Sequence, residues 1–203
     1  MSKPSSSAAP RPQIRPYALS LSPTARAALK HQQPCCLWLT GLSGAGKSTL
    51  ANALEMQLNE QGRHTFVLDG DNLRNGLCND LGMDAMARQE NVRRIAEVAR
   101  LMVDAGLIVI VSAISPFRAD RAAARALFRS DEFLEVYVST PFDICARRDP
   151  KGLYQAALQG RLKNFTGLDS PYEAPQQADC EINTDEVDLA EAIQRVLAVL
   201  LEK

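Results

Sequence analysis

Short apolar runs alternate with helical patterns along most of the chain. Five runs rich in β-branched or other apolar residues predict strands at residues 36–40, 65–69, 107–113, 133–139 and, more weakly, 180–183. Strands that are joined by helical crossovers pair in parallel, and helices then cover both faces of the sheet. The pattern therefore predicts an α/β fold with a mostly parallel five-stranded sheet.

The patterns between these runs predict the helices that cover the sheet. In the clearest, over residues 85–105, apolar residues form one stripe: Val92, Ile95, Ala96, Ala99, Met102 and Val103. Further helices are predicted to open after Lys47 and to cover residues 118–128, 142–147 and 188–200. We expect Thr140 to cap the helix at 142–147, with Pro141 in its first turn.

Two segments show neither the alternation typical of a strand nor the spacing of apolar residues typical of a helix. Residues 1–16 hold four prolines, serines and few large apolar groups, which predicts a disordered tail because little surface can be buried to offset ordering entropy. We expect residues 1–33 to form this tail and a weakly ordered lead-in, and residues 34–203 to form one domain. Residues 151–175, rich in Gly, Asn and aromatics, predict a mobile lid or binding loop.

Composition and charge narrow the classes of partner. The net charge of −1 and the pI of about 6.1 provide no basic surface for nonspecific binding of nucleic acid or anionic membrane, so we expect neither as a partner. No apolar run approaches the roughly 20 residues that span a bilayer, and the amino terminus lacks a signal core. The five scattered cysteines indicate reduced, mostly buried thiols in a cytoplasmic protein.

The strongest chemical signal is the sequence GLSGAGKS at 41–48, which matches GxxxxGK[ST] between a predicted strand and helix. Its glycines allow successive N–H groups to face phosphate oxygens at the positive end of the helix. Lys47 is expected to reach the β and γ phosphates of ATP, and the Ser48 hydroxyl to bind Mg²⁺. A glycine-rich turn that binds nothing is disfavoured by this spacing. The predicted nucleotide contacts are Gly41, Ser43, Gly44, Ala45, Gly46, Lys47, Ser48 and Thr49.

Residues after the other strands narrow the class of P-loop protein. The guanine-reading NKxD motif is absent, and the third strand ends in Ser112-Ala113-Ile114-Ser115 without an aspartate. Acidic residues instead follow the second strand, as Asp69-Gly70-Asp71. Open α/β sheets bind ligands at the carboxyl ends of their strands, so Asp71 is a candidate to orient an acceptor hydroxyl or a metal-bound water. A turn with Asx capping is the alternative interpretation.

Beside the phosphate loop, four further blocks resemble the adenylylsulfate kinases, and the resemblance covers about residues 36–185. The blocks are LDGDNLRNGL at 68–77, RQENVRRIAEVARLMVDAG at 88–106, ISPFRADR at 114–121, and RDPKGLY with KNFTGLDSPYEAP at 148–154 and 163–175. The resemblance implies a P-loop NTPase fold and ATP-dependent phosphorylation of the 3′-hydroxyl of adenylylsulfate in sulfate assimilation. It leaves open a homodimer and an association with a sulfate adenylyltransferase.

Individual roles are implied by the same resemblance. Lys47, Asp71 and Ser115 would be catalytic, and Arg147 and Arg148 would contact ATP. The implied acceptor contacts are Asp71, Asn72, Arg74, Met83, Arg88, Asn91, Ile114, Ser115, Lys151, Asn164 and Phe165. Guanidiniums suit sulfate and phosphate, an amide can read a base edge, and an aromatic face can stack on adenine.

Plainer interpretations exist for several of these residues. Arg88 and Asn91 could form a solvated helix start, and the two arginines before the lid could cap the short helix at 142–147. Phe165 could be a core aromatic, but its neighbours Asn164, Thr166 and Gly167 argue against an ordinary core position.

Three positions depart from the family pattern. Met83 stands in place of an aromatic, Ala87 in place of an acidic residue, and residues 155–158 (QAAL) in place of a basic stretch. We expect these changes to affect affinity more than chemistry. Two other functions stay open: another small-molecule kinase, and a noncatalytic protein that acts as a nucleotide sensor or as an interaction partner in a sulfate-activating complex.

Ser115 aligns with a serine that has been proposed in the family as a phosphoenzyme intermediate. A serine nucleophile needs a positioned base, and the run from Ser112 to Arg118 offers no His, Asp or Glu. We therefore favour direct transfer, with Ser115 as a site residue in either role.

Overall fold

The computed structural model describes residues 15 and 17–201, so the predicted disordered tail lies outside the described residues except for Arg15. The strands are β1 (Cys35–Thr40), β2 (Thr65–Asp69), β3 (Ile108–Ser112), β4 (Phe133–Val138) and β5 (Cys180–Ile182). The helices are α1 (Pro23–Ala28), α2 (Lys47–Glu60), α3 (Gly70–Arg74), α4 (Ala85–Asp104), α5 (Arg118–Arg125), α6 (Phe142–Arg148), α7 (Leu153–Leu158) and α8 (Leu189–Leu201).

All five strands lie in one parallel sheet of order β2-β3-β1-β4-β5, as predicted. The central strand β1 is buried along its whole length. Because successive side chains of a strand point to opposite faces, Leu37 and Leu39 join the core under α2 and α8, whereas Cys36 and Trp38 join the core under α4. The predicted cover of helices on both faces is confirmed.

The buried face of helix α4 includes two polar residues as well as its apolar stripe. Its predicted apolar stripe packs on the sheet, and the same face continues toward the amino end through buried Asn91 and Arg88. Asp84 caps the helix by accepting a hydrogen bond from the Ala87 N–H. The packing of the stripe thus turns two polar side chains toward the interior.

The predicted capping role of Thr140 was wrong. Pro141 is the N-cap residue of α6, and no side-chain hydrogen bond caps this helix. The Thr140 hydroxyl instead donates to the Ala45 carbonyl oxygen at 3.1 Å and lies 2.8 Å from the Thr184 hydroxyl. Thr140 therefore donates to a carbonyl of the phosphate loop instead of accepting a hydrogen bond from an N–H of α6.

Three short helices were not predicted: α1, α3 and α7. Helix α1, inside the predicted lead-in, packs against the end of α4, where Arg26 donates to the Asp104 carbonyl at 3.3 Å. Gly106 follows α4 with a φ of +89°, and a Cβ there would lie 3.0 Å from the Arg26 carbonyl oxygen. Helix α7 lies inside the predicted lid.

The five cysteines are free thiols, four of them buried. Burial raises the pKa of the Cys36, Cys78, Cys145 and Cys180 thiols, which keeps them protonated and weakly nucleophilic. In the part of the chain that the structure describes, no helix is both long and apolar enough to cross a membrane.

Candidate active site

A cavity of about 490 Å³ opens at the carboxyl ends of the strands. Most of its lining residues belong to five segments: the phosphate loop, the turn after β2, the start of α4, the loop after β3 and the predicted lid segment. Open α/β sheets bind ligands at this edge, and the volume is that of a small-molecule site.

The phosphate loop needs its glycines for two different reasons. Gly46 is the N-cap of α2 with a left-handed φ of 100°, which a residue without Cβ adopts readily. Gly44 passes close to α6, where a Cβ would lie 2.9 Å from the Cys145 carbonyl oxygen. The loop is therefore tightly seated, with the amino end of a 14-residue helix directed at the cavity.

Lys47 is buried, and within the described part of the chain no carboxylate accepts a hydrogen bond from its ammonium group. Its side chain is only 8% exposed, and Nζ donates to the Leu42 carbonyl oxygen at 2.7 Å. Burial lowers the pKa of Lys47 to about 8, and nearby Lys151 contributes in the same direction. A phosphate anion in the cavity would stabilise this ammonium.

Three oxygen-bearing side chains converge at the start of α2. The Ser48 hydroxyl donates to Asp69 Oδ2 at 2.7 Å and lies 3.2 Å from the Ser112 hydroxyl. The other carboxylate oxygen of Asp69 accepts the Asp71 and Asn72 N–H groups and caps α3. The Asx-capping interpretation is thus confirmed for Asp69, a residue to which the sequence assigned no role.

These oxygens are the ligands that Mg²⁺ prefers, and they fit its usual mode of binding through one or two protein groups plus phosphate and water. Over residues 15 and 17–201, no group of three or more His, Cys, Asp or Glu side chains forms a self-sufficient metal site. Ser48 and Asp69 would therefore hold such an ion only together with a bound nucleotide.

Asp71 lies on α3 and forms an ion pair with Lys151 of the predicted lid segment. The two side chains are 61% and 50% exposed, so the pair is solvated and contributes little to stability. Both residues line the cavity. A ligand that enters between them can therefore replace the contact at low cost.

Arg88 and Asn91 form a buried polar wall, which contradicts the interpretation of a solvated helix start. Arg88 is 8% exposed and Asn91 6%. Arg88 donates through Nε to the Met83 carbonyl at 2.8 Å, through Nη1 to the Thr166 hydroxyl at 2.6 Å, and through Nη2 to the Asn164 carbonyl. Burial lowers the pKa of Arg88.

Asn91 carries an unused acceptor. Its Oδ1 is buried and has no hydrogen-bond partner among the described residues, although the residue lines the cavity. Buried polar atoms are rarely left unsatisfied. A donor group of a bound ligand would complete this site.

Phe165 belongs both to the core and to the cavity wall. It is 5% exposed, and its ring packs edge-on against Tyr154 with centroids 4.8 Å apart. The Tyr154 hydroxyl in turn donates to the Ser43 carbonyl at 2.8 Å. The expectation that polar neighbours exclude a core position was wrong: Phe165 belongs to the core cluster, and neighbouring Thr166 is buried with it because its hydroxyl accepts a hydrogen bond from Arg88.

Ser115 lies buried in the loop after β3 with a φ of +41°. Its Oγ accepts the Trp38 indole N–H at 3.1 Å and donates to the Thr40 hydroxyl at 3.0 Å. These partners are neutral and none is a base that could activate a nucleophile. The geometry favours a role for Ser115 in shaping the loop.

Most predicted site residues line one cavity, including Ile114, Thr49, Arg74 and Met83. Four do not: Gly41, Ala45, Asn72 and Arg147. Arg148 does line it and donates to the hydroxyl and carbonyl oxygens of Thr184, at 2.7 and 3.0 Å, which ties α6 to the segment after β5. Thr184 was not predicted, because one polar residue after a weak strand carries no distinctive signal.

The departure at Ala87 leaves Arg88 well held. The three acceptors named above orient the guanidinium, and Asp84 and Asp169 contribute favourable charge. Met83 is about half exposed, and its carbonyl is one of those acceptors. Arg88 is therefore held in place although residue 87 is not acidic.

Comparison with known proteins is consistent with this geometry. The family model described as adenylylsulphate kinase matches residues 33–183. An adenylyl-sulfate kinase of Shewanella denitrificans is 57% identical over 181 residues, which are 89% of this chain and 88% of that protein. The chain belongs to the adenylylsulfate kinase family.

Two further proteins are similar to this chain, one by structure and one by sequence. The Mycobacterium tuberculosis APS kinase CysC, solved in complex with AMPPNP and APS, has a TM-score of 0.80 and 45% identity, covering 84% of this chain and 99% of that one. The bifunctional enzyme NodQ of Rhizobium sp. (strain N33) is 60% identical over 167 residues. Those residues are 82% of this chain but only 26% of NodQ, so the chain spans about a quarter of that relative.

Proposed function

We propose that the chain transfers the γ-phosphoryl group of ATP to the 3′-hydroxyl of adenylylsulfate, forming 3′-phosphoadenylylsulfate and ADP. The observation that carries this proposal is that residues of the phosphate loop and the buried side chains of Arg88 and Asn91 line one cavity. The mycobacterial relative was solved with an ATP analogue and APS together, which supports a two-nucleotide site of this kind.

On the ATP side, the loop N–H groups and Lys47 would hold the β and γ phosphates. Lys47 offsets the negative charge that develops as the bond from the γ-phosphorus to the ADP oxygen breaks. Ser48 and Asp69 would hold Mg²⁺, which neutralises phosphate charge when bound. Arg148, whose guanidinium is held by Thr184, also lines the cavity and would contact ATP.

On the acceptor side, Asp71 would orient the 3′-hydroxyl toward the γ-phosphorus and take its proton as the new oxygen–phosphorus bond forms. Lys151 must first exchange its contact with Asp71 for the incoming substrate. Asn91 Oδ1 would accept a hydrogen bond from the base, and Phe165 would offer the ring for stacking. We expect closure of residues 151–175 to exclude water and so to limit ATP hydrolysis.

The test is ADP release by the purified protein with ATP-Mg²⁺, with and without adenylylsulfate, together with identification of the product. Acceptor-stimulated release with one 3′-phosphoadenylylsulfate formed per ADP supports the proposal. A noncatalytic sensor would bind both nucleotides without turnover. Another small-molecule kinase would be stimulated by a different alcohol in a parallel acceptor screen.

Wider assembly is also part of the proposal. The match to a quarter of a bifunctional relative supports association with a second activity, and we propose a sulfate adenylyltransferase as that partner. A homodimer and a cytoplasmic location stay predictions. Size-exclusion chromatography with light scattering, alone and with a purified sulfate adenylyltransferase, measures both associations.

A further inference from the structure

The turn that carries Phe165 is closed by one exposed carboxylate. Asp169 Oδ2 accepts the Asn164 N–H at 2.7 Å, and Oδ1 accepts the Phe165 N–H. These two backbone hydrogen bonds lower the pKa of Asp169. Asn164 itself has a φ of +58°, a left-handed conformation that asparagine tolerates better than most residues. The Asp169 carboxylate thus fixes two consecutive backbone N–H groups, those of Asn164 and Phe165, and with them the start of the turn that carries the ring.

The rest of the turn is seated against the phosphate-loop side of the cavity. Gly167 N–H donates to the Ser170 carbonyl at 2.8 Å, and Ser170 N–H donates to the Phe165 carbonyl at 3.2 Å. Gly167 has a φ of +95°, and a Cβ there would lie 3.1 Å from Leu42 Cδ2. The turn therefore has little room to shift toward the loop.

Arg88 holds the opposite side of the same turn. Two of its three hydrogen bonds go to the Asn164 carbonyl and the Thr166 hydroxyl, on either side of Phe165. Asp169 also contributes favourable charge to Arg88. A guanidinium has five N–H donors, so Arg88 can hold the turn and still offer donors to a ligand anion.

We propose that Asp169 is a positioning residue that sets the KM for the acceptor by holding the Phe165 turn against Arg88. This inference rests on the proposed function. Asp169 does not line the cavity, so it acts through Phe165 and not by touching the substrate. Its described hydrogen bonds go to Asn164 and Phe165 and not to the phosphate loop or Asp71, so we expect its loss to affect acceptor binding more than phosphoryl transfer.

The experiment compares Asp169→Ala and Asp169→Asn with Asp143→Ala, which removes an exposed carboxylate from α6. Asp169→Ala removes two charge-assisted hydrogen bonds from an exposed turn, and we expect the KM for adenylylsulfate to rise about tenfold. The kcat and the KM for ATP stay within about twofold of wild type. Asn retains one acceptor oxygen and gives an intermediate KM. Asp143→Ala behaves as wild type.

A double-mutant cycle with Phe165→Ala identifies the route of the effect. If Asp169 acts through the ring, Asp169→Ala raises the acceptor KM by less than about twofold in the Phe165→Ala background. Additive effects, or equal changes in both KM values and kcat together with a lower Tm, overturn the inference in favour of a general structural role. A wild-type enzyme without acceptor-stimulated ADP release overturns the proposed function instead.

Discussion

Replacing Lys47 by Met will make the ligand-free protein more stable while removing its activity. The Lys47 side chain is 8% exposed and its hydrogen bond goes to the Leu42 carbonyl, not to a carboxylate. Burial lowers the pKa of the amine from 10.5 to about 8. Met has a similar shape and no charge, so it relieves the desolvation of the ammonium.

The size of the gain in the free energy of unfolding follows from the linkage between folding and protonation of Lys47. Because the pKa is lower in the folded state, the charged amine destabilises that state fully below about pH 8, and the penalty fades as the pH rises to 10.5. A difference of 2.5 units, from 10.5 to 8, corresponds to about 3 kcal/mol at pH 7. Loss of the hydrogen bond to Leu42 offsets about 1 kcal/mol. The net gain of about 2 kcal/mol raises the Tm by roughly 4–8 °C for a chain of this size.

The assay is thermal unfolding of wild type and Lys47→Met at pH 7 and pH 9.5 without nucleotide. At pH 9.5 the remaining penalty is about 1 kcal/mol, which the lost hydrogen bond cancels, so the two proteins should melt together. Saturating ATP-Mg²⁺ should stabilise wild type far more than the variant. Lys30→Met, at a half-buried lysine outside the cavity, is the control and should change the free energy of unfolding by less than about 1 kcal/mol.

Two outcomes would refute this reasoning. One is a Lys47→Met variant that melts at or below wild type at pH 7. The other is a stability difference that is the same at both pH values, because a charge penalty must follow the titration of the amine.

Four other substitutions test the remaining assignments. Lys47→Ala should leave the far-UV circular dichroism unchanged and remove most turnover, and near-normal kcat would contradict the mechanism. Asp71→Asn should lower kcat at least about 100-fold with little change in the acceptor KM, and an effect confined to KM would remove Asp71 from proton transfer. Asp69→Ala should raise the Mg²⁺ concentration for half-maximal rate, which a titration at fixed ATP measures. Ser115→Ala should retain turnover, and incubation of wild type with γ-labelled ATP should leave no label on protein; label that chases into product at the catalytic rate would instead establish a phosphoenzyme.

The strands and long helices could be predicted because their signal is periodic. Predicted and observed strand ends differ by one residue at most, and α4 differs by one residue at its carboxyl end. The helices α1, α3 and α7 have five or six residues each, too few for a period to repeat. In these segments caps and tertiary contacts decide the conformation.

Site residues could be predicted where a motif carries them, as with Lys47 and Arg88. Asp69 and Thr184 escaped because their partners lie 21 and 36 residues away in sequence. The same limit applies to Phe165, whose burial depends on a turn closed by Asp169. Roles that come from long-range contacts are fixed by packing and leave no local pattern.

Trp38 gives the molecule a built-in optical reporter. It is the chain's single tryptophan, it is fully buried, and its indole N–H donates to Ser115 beside the acceptor cavity. Emission from an indole depends on its hydrogen bonding and on the mobility of its surroundings. Trp38 fluorescence, excited near the red edge of the protein absorbance, therefore reports on the loop after β3 during a turnover. The measurement needs no dye and no engineered residue.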